Sequence, residues 1–197
     1  MNLEKQKENF KNHIATFTDY GDIKILDFKA PDTNHYRIRF LFEETYCRLH
    51  ISGDLGHLIA MNYNNMAYEK FSDYINNTGY FEEKIQCIDR HIYVYDEEKA
   101  RSDIKEWLEN NNCKEHYLIL HSIFLGQTDG EVINEFMDEV LKDYSEDTGI
   151  GSRGYKILSR LDPDVWGVCD DFGKENTGIL DLYMLAFKLA QDNLKKG

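Results

Sequence analysis

Several groups of residues in this chain have the side-chain types that chemistry needs, and their spacing decides what each can do. The run Gly149-Ile150-Gly151-Ser152-Arg153-Gly154 has the spacing GxGxxG. Backbone amides in that pattern hold a pyrophosphate when the run follows a strand and opens a helix. Here it follows an acidic helical segment, with Glu146 and Asp147 placed where phosphate would be repelled. The run is therefore read as an interhelical hinge, with nucleotide binding as the alternative. Asp162, Asp164, Asp170 and Asp171, around Trp166, offer oxygen ligands for a divalent cation. Asp162 and Asp164, however, straddle Pro163, where Asp-Pro is ordinary turn chemistry, and the spacing matches no EF-hand loop.

The pairs His50/His57 and His116/His121 lack the HxxxH spacing that sets two imidazoles on one helical turn, so they read as core or surface histidines. Cys47, Cys87, Cys113 and Cys169 contain no CxxC pair and read as free thiols. Cys47 and Cys87 fall on apolar-periodic positions, where a buried, inert thiol is expected. The triplet Asp89-Arg90-His91 is accounted for by a charged helix end. No set assembles nucleophile, base and orienter. The reading leans toward a binding protein and leaves an enzyme open, with no catalytic residue, cofactor or metal assigned.

Charge points to binding. The formal charge of −13 is confined to the middle of the chain: residues 51–100 carry 4 basic and 9 acidic side chains and residues 101–150 carry 4 and 12, whereas the two end segments balance. It is densest over residues 129–147, where Asp129, Glu131, Glu135, Asp138, Glu139, Asp143, Glu146 and Asp147 stand against Lys142 alone. Such a surface repels nucleic acid, because phosphates would meet like charge with no counterions to release. Acidic helices commonly serve only solubility. The functional alternative is a face that docks on a basic, nucleic-acid-binding surface of another protein. Acids four residues apart on a helix rise about 6 Å, close to the spacing of phosphates along a strand, and Glu131, Glu135 and Asp138 or Glu139 have that spacing.

The elements that must position these residues follow from periodicity. Leu3, Phe10, Ile14 and Phe17 predict an amphipathic helix over residues 3–17, and residues 23–28 a strand. Tyr36, Ile38, Phe40 and Phe42, then Cys47, Leu49 and Ile51, alternate with polar residues as two half-buried strands joined at Glu43-Glu44, and the Gly53-Asp54-Leu55-Gly56 turn leads to a third over residues 58–63. Residues 67–90 read as helical with a break at Thr78-Gly79, and residues 92–95 as extended. Asp96 then caps a helix to about Asn110 whose buried face is Ile104, Trp107 and Leu108. The apolar run 116–125 is assigned to helix because helices flank it. Thr128 with Glu131 forms a capping box for a helix whose inward stripe is Ile133, Phe136, Met137, Val140, Leu141 and Tyr144. A short helix over 155–161 and a long one over 177–195 complete the chain.

The predicted class is α+β: an N-terminal antiparallel β-meander packed with helices, followed by a helical C-terminal half. Residues 1–112 form the α+β domain, with residues 113–197 a helical region packed on it or continuous with it. The 42% hydrophobic content and only two prolines favour order nearly throughout. No run has the roughly 20 apolar residues of a membrane span and the N-terminus is charged, so the protein is expected in the cytoplasm.

Three blocks carry a resemblance: His35-Tyr36-Arg37-Ile38-Arg39-Phe40-Leu41-Phe42, Leu49-His50-Ile51-Ser52-Gly53-Asp54-Leu55-Gly56 and Gly79-Tyr80-Phe81-Glu82-Glu83-Lys84-Ile85. Over roughly residues 34–110 the chain resembles small accessory proteins of phages and mobile elements of Firmicutes, some of which are anti-CRISPR proteins that inhibit RNA-guided Cas nucleases. The resemblance implies a phage protein that evades host defence in the host cytoplasm. Its implied partner is a defence nuclease, an RNA-guided Cas effector above all, whose basic nucleic-acid channel would receive the acidic face. It carries no motif that assigns interface residues. A small enzyme or sponge acting on a nucleotide defence signal, and an oligomeric scaffold or assembly factor, are the alternatives, and the oligomeric state is left open.

Overall fold

A computed structural model of the chain describes residues 2–111 and 129–196. In chain order its regular elements are helix α1 (Leu3–Lys7), strands β1 (Ile14–Asp19), β2 (Ile23–Lys29), β3 (Ile38–Glu43), β4 (Arg48–Gly53) and β5 (Leu58–Met61), helix α2 (Thr78–Glu82), strands β6 (Ile85–Ile88) and β7 (Tyr93–Tyr95), helices α3 (Glu97–Asn110), α4 (Asp129–Val140) and α5 (Ser152–Leu161), strand β8 (Lys174–Asn176) and helix α6 (Ile179–Leu194). The class is α+β, with strands early and helices following. The run 116–125, the cap at Thr128, and Cys113, His116 and His121 lie outside the described residues. Two compact units divide the chain: residues 1–92 with 178–197, and residues 93–177.

In the first unit, six strands form one antiparallel sheet in the order β1-β2-β3-β4-β5-β6. Alternation builds it. Ile38, Phe40 and Phe42 of β3 and Leu49 and Ile51 of β4 point inward and are buried, while Arg39, Leu41 and Glu43 face the other way. The register aligns Phe17, Leu26, Phe40, Ile51, Leu58 and Ile88 as one inward row across all six strands. Helix α6 lies on that face through Tyr183, Ala186, Phe187 and Ala190, with the Phe187 ring edge-on to Phe40 at 5.3 Å and to Phe71 at 4.7 Å.

Two expected helices are corrected here. The helical stretch at the N-terminus ends at Lys7, a 3-10 turn carries it to Phe10, and Ile14–Asp19 is a strand. Ile14 and Phe17 sit three apart and mimic a helical stripe, but β-branched Ile14, Thr16 and Thr18 favour a pleated edge, and the ladder with β2 fixes it. Within residues 67–90 only Phe71–Tyr74, a 3-10 turn, and Thr78–Glu82 are helical. Ile85–Ile88 is the sixth strand. Ile59 pairs with Cys87 but Ala60 pairs with Ile85, so Gln86 is an extra, bulged residue. The bulge sets Ile85 and Ile88 on the same, inward face, and their three-residue spacing imitates a helix.

The second unit is mainly helical. Asp96 accepts the Lys99 amide at 2.7 Å and starts α3, whose Ala100, Ile104, Trp107 and Leu108 are buried. Against them within the unit's core lie Ile133, Phe136, Met137 and Val140 of α4, Leu158 of α5, and Val165, Cys169 and Phe172. Strands β7 and β8 pair antiparallel, a short ribbon that periodicity did not reveal at residues 174–176. Asp103 ties α3 to the residue before β8 by accepting from the Gly173 amide at 2.9 Å, and pairs along its own helix with Lys99 Nζ at 2.7 Å.

Candidate functional site

The predicted acidic face begins on α4. With Val132, Ile133, Phe136, Met137 and Val140 buried, the helix turns Glu131, Glu135 and Asp138 outward, where all are exposed. Asp129 opens the helix. Glu146 and Asp147 are exposed in the turn that follows.

The row is not uniform. Asp138 accepts from Arg101 Nη1 at 2.8 Å, and Arg101 also binds Glu97 at 2.9 Å. Glu139 pairs with Arg153 and, at 3.4 Å, with Lys142. These partners, Arg153 first, hold the Glu139 carboxyl below its ordinary range. Asp143 accepts the amide of Arg153 at 2.9 Å and that of Gly154 at 3.3 Å. Asp138, Glu139 and Asp143 therefore have structural partners within the unit, and Glu131, Glu135, Glu146 and Asp147 are exposed.

The Asp143 carboxylate also explains the glycine run. It caps the first turn of α5, the place an anion would take at a helix start. A Cβ on Gly151 would run into that carboxylate, and one on Gly154 into the Val140 carbonyl. Gly149 has φ +71° and would press a side chain onto the Tyr95 ring. The spacing thus serves close packing of α5 against the end of α4. In the aspartate cluster, Asp162 accepts the Asp164 amide at 2.9 Å and Asp171 pairs with Lys174 at 2.9 Å. Among the described residues no three carboxylate, imidazole or thiol groups converge as a cation site.

In the first unit the outward face of the sheet holds a depression of about 630 Å³ lined by Arg39, Glu43, His50, His57, Cys87 and Asp89 among others. His50 Nε2 lies 2.7 Å from Glu43 Oε2, which is a base with an orienter in form. Cys87 is exposed, not buried as its position implied, because it shares the outward row of Leu41, His50 and Ile59. With β5 between them, Cys87 and His50 stand two strand spacings apart, about 10 Å. Arg39 is held by Asp27 in a two-pronged pair at 2.7 and 2.9 Å.

The chain matches no family model, no curated protein and no solved structure. No helix among the described residues is long and apolar enough to cross a membrane.

One group of surface residues escaped the sequence reading. Tyr20, Tyr46 and Tyr63 are 71%, 65% and 79% exposed. Periodicity does not separate them from core tyrosines. For two of them the neighbours do: Gly21-Asp22 beside Tyr20 and Asn64-Asn65 beside Tyr63 are turn-forming residues.

Proposed function

We propose that the chain is a binding protein that inhibits a defence nuclease, of the anti-CRISPR type, by docking the acidic surface of its second unit on a basic nucleic-acid groove. The observation that carries this reading is the outward row of α4, where a fully buried apolar stripe commits Glu131 and Glu135 to the surface, with Glu146 and Asp147 exposed beyond the helix. Carboxylates fixed on a helix meet a cationic channel without an ordering cost for the backbone. Asp138, Glu139 and Asp143 act mainly inside the unit, so reversing them would break the fold's own contacts.

The test is inhibition of target cleavage by a purified RNA-guided Cas effector. Inhibition weakens as salt rises from about 0.05 M to about 0.3 M, as expected of a charge-steered interface. A variant carrying Glu135→Lys and Glu146→Lys, with circular dichroism unchanged, loses about tenfold in potency. Undiminished inhibition by that variant would remove the acidic surface as the mechanism, and the absence of inhibition would remove the nuclease as the partner.

A further inference from the structure

The three most exposed tyrosines among the described residues stand together at one end of the six-stranded sheet. Tyr20 is in the β1–β2 turn, Tyr46 in the β3–β4 turn and Tyr63 just beyond β5. Hydrogen bonds join these segments directly. The Glu44 amide donates to the Asp22 carbonyl at 2.8 Å, and the Asn62 amide to the Cys47 carbonyl at 3.1 Å.

Each segment is also fixed from within. The Tyr20 amide donates to the Ile23 carbonyl at 2.9 Å, and the Gly21 amide to Asp19 Oδ1 at 2.8 Å. Cys47 takes a left-handed conformation, φ 51°, directly after Tyr46, a conformation that costs energy in a non-glycine residue. Asn62 Nδ2 donates to Asn65 Oδ1 at 2.7 Å and to the buried Tyr74 hydroxyl at 2.6 Å. Single exposed aromatics are ordinary. Three on turns joined by hydrogen bonds set aromatic rings along one end of the sheet that the core does not use, and tyrosine supplies contact area with little entropy to lose.

Charge selects what covers it. Asp19, Asp22, Glu43, Glu44 and Glu69 surround the three turns, against Lys24, Arg48 and Lys70. Lys24 is enclosed by Glu44 at 3.1 Å and Asp19 at 4.0 Å, and Arg48 is held by Glu43 at 3.5 Å. Asp22 and Glu69 remain exposed, as does Lys70, whose Nζ donates to the Asn64 carbonyl at 3.3 Å. The Arg48 guanidinium lies 5.9 Å from the centre of the Tyr46 ring, so that ring already accepts a cation on a face. We infer that this end of the sheet binds an arginine-bearing protein segment, whose guanidinium groups stack on Tyr20, Tyr46 and Tyr63 and pair with Asp22 and Glu69. This surface lies wholly in the first unit and does not depend on the acidic face of α4.

The probe is a twelve-residue arginine–glycine repeat peptide titrated into the full ¹⁵N-labelled chain. Amide shifts are expected to concentrate at residues 19–23, 44–48 and 62–65, and the lysine–glycine peptide to bind more weakly. The triple variant Tyr20→Ala, Tyr46→Ala and Tyr63→Ala weakens binding by about tenfold or more, whereas the triple Tyr→Phe variant, which keeps the rings, binds as the unchanged protein does. Glu135→Lys with Glu146→Lys leaves binding at the turns in place, which separates this surface from the acidic one. Shifts confined to residues 131–147, no binding, equal binding by the triple alanine variant, or tighter binding of oligothymidylate at the same turns would each overturn the inference.

Discussion

Asn193 Oδ1, in the last turns of α6, accepts the amide hydrogen of Ala15 at 2.9 Å, while its Nδ2 donates to the His13 carbonyl at 3.5 Å. A single side-chain amide thus supplies the acceptor and the donor that a seventh strand would bring to the edge of β1. Open edges invite pairing with other chains, and here the C-terminal helix that covers the inner face of the sheet also closes part of its rim.

Asn193→Ala is expected to cost about 1 kcal/mol in urea unfolding, the net worth of a hydrogen bond with an edge amide returned to water. The Ala15 amide should exchange faster with solvent, and Asn193→Asp, which keeps only the acceptor, should fall between. Unchanged exchange at Ala15 would show that the contact does not hold the edge.

His13 is 5% exposed, between the Phe10 and Phe28 rings at 5.1 Å each, and its Nε2 lies 3.3 Å from the Tyr36 carbonyl. A carbonyl only accepts, so in the neutral ring Nε2 carries the proton. Nδ1 is buried with no hydrogen-bond partner among the described residues. Burial lowers the imidazole pKa below 6.5, and nearby His35 adds to this, against opposing backbone hydrogen bonds. The unfolded chain then binds the proton first. Stability is fully present above about pH 6.5 and declines as pH falls through that value toward the lowered folded pKa. The urea midpoint should drop between pH 7.5 and pH 5.5, and His13→Phe should flatten that part of the dependence. An equal slope in the variant would place the titration elsewhere.

What the sequence revealed depended on how local its cause was. Asp96 sits directly before the helix it caps, and the alternation of Phe40, Phe42, Leu49 and Ile51 records one sheet face, so both were legible. Ile85 and Ile88 misled because a bulge at Gln86 converts a strand period into a helical spacing. The outward turn of Glu131 and Glu135 could be read from one helix. The neutralisation of Asp138 and Glu139 could not, since Arg101 and Arg153 arrive from other helices.

Two tyrosines give opposite expectations for the same change. Tyr183 is fully buried and its hydroxyl donates to the Leu55 carbonyl at 3.0 Å. The Tyr144 hydroxyl is buried with no hydrogen-bond partner among the described residues, against Gly173, and burial followed by the field of Asp96 pushes its pKa up to about 12. Tyr183→Phe should destabilise by about 1 kcal/mol, because the carbonyl loses its donor inside the core. Tyr144→Phe should be neutral or stabilising by up to about 1 kcal/mol, because it deletes a dehydrated group that makes no bond. Chemical denaturation of the two variants checks the contrast, and equal losses would mean that the Tyr144 hydroxyl is bonded in solution.

Arg101 separates the stabilising role of charge from the proposed binding role. It bridges Glu97 at 2.9 Å and Asp138 at 2.8 Å, and both carboxylates are largely in solvent, so the bridge is worth well under the sum of two buried pairs. Removing the guanidinium by Arg101→Ala should lower stability by about 0.5–1 kcal/mol, partly through the packing of its aliphatic stem. The same change releases Asp138 and makes the outward side of α4 more negative by one charge. If that side docks on a basic groove, Arg101→Ala should inhibit the nuclease more strongly, by about two- to fivefold at low salt, with the gain fading as salt is added. Arg101→Lys, which keeps the charge but not the two-pronged geometry, should show little of the gain. A variant that is both less stable and a weaker inhibitor would indicate that Arg101 acts only through the fold, and would count against the acidic side of α4 as the docking surface.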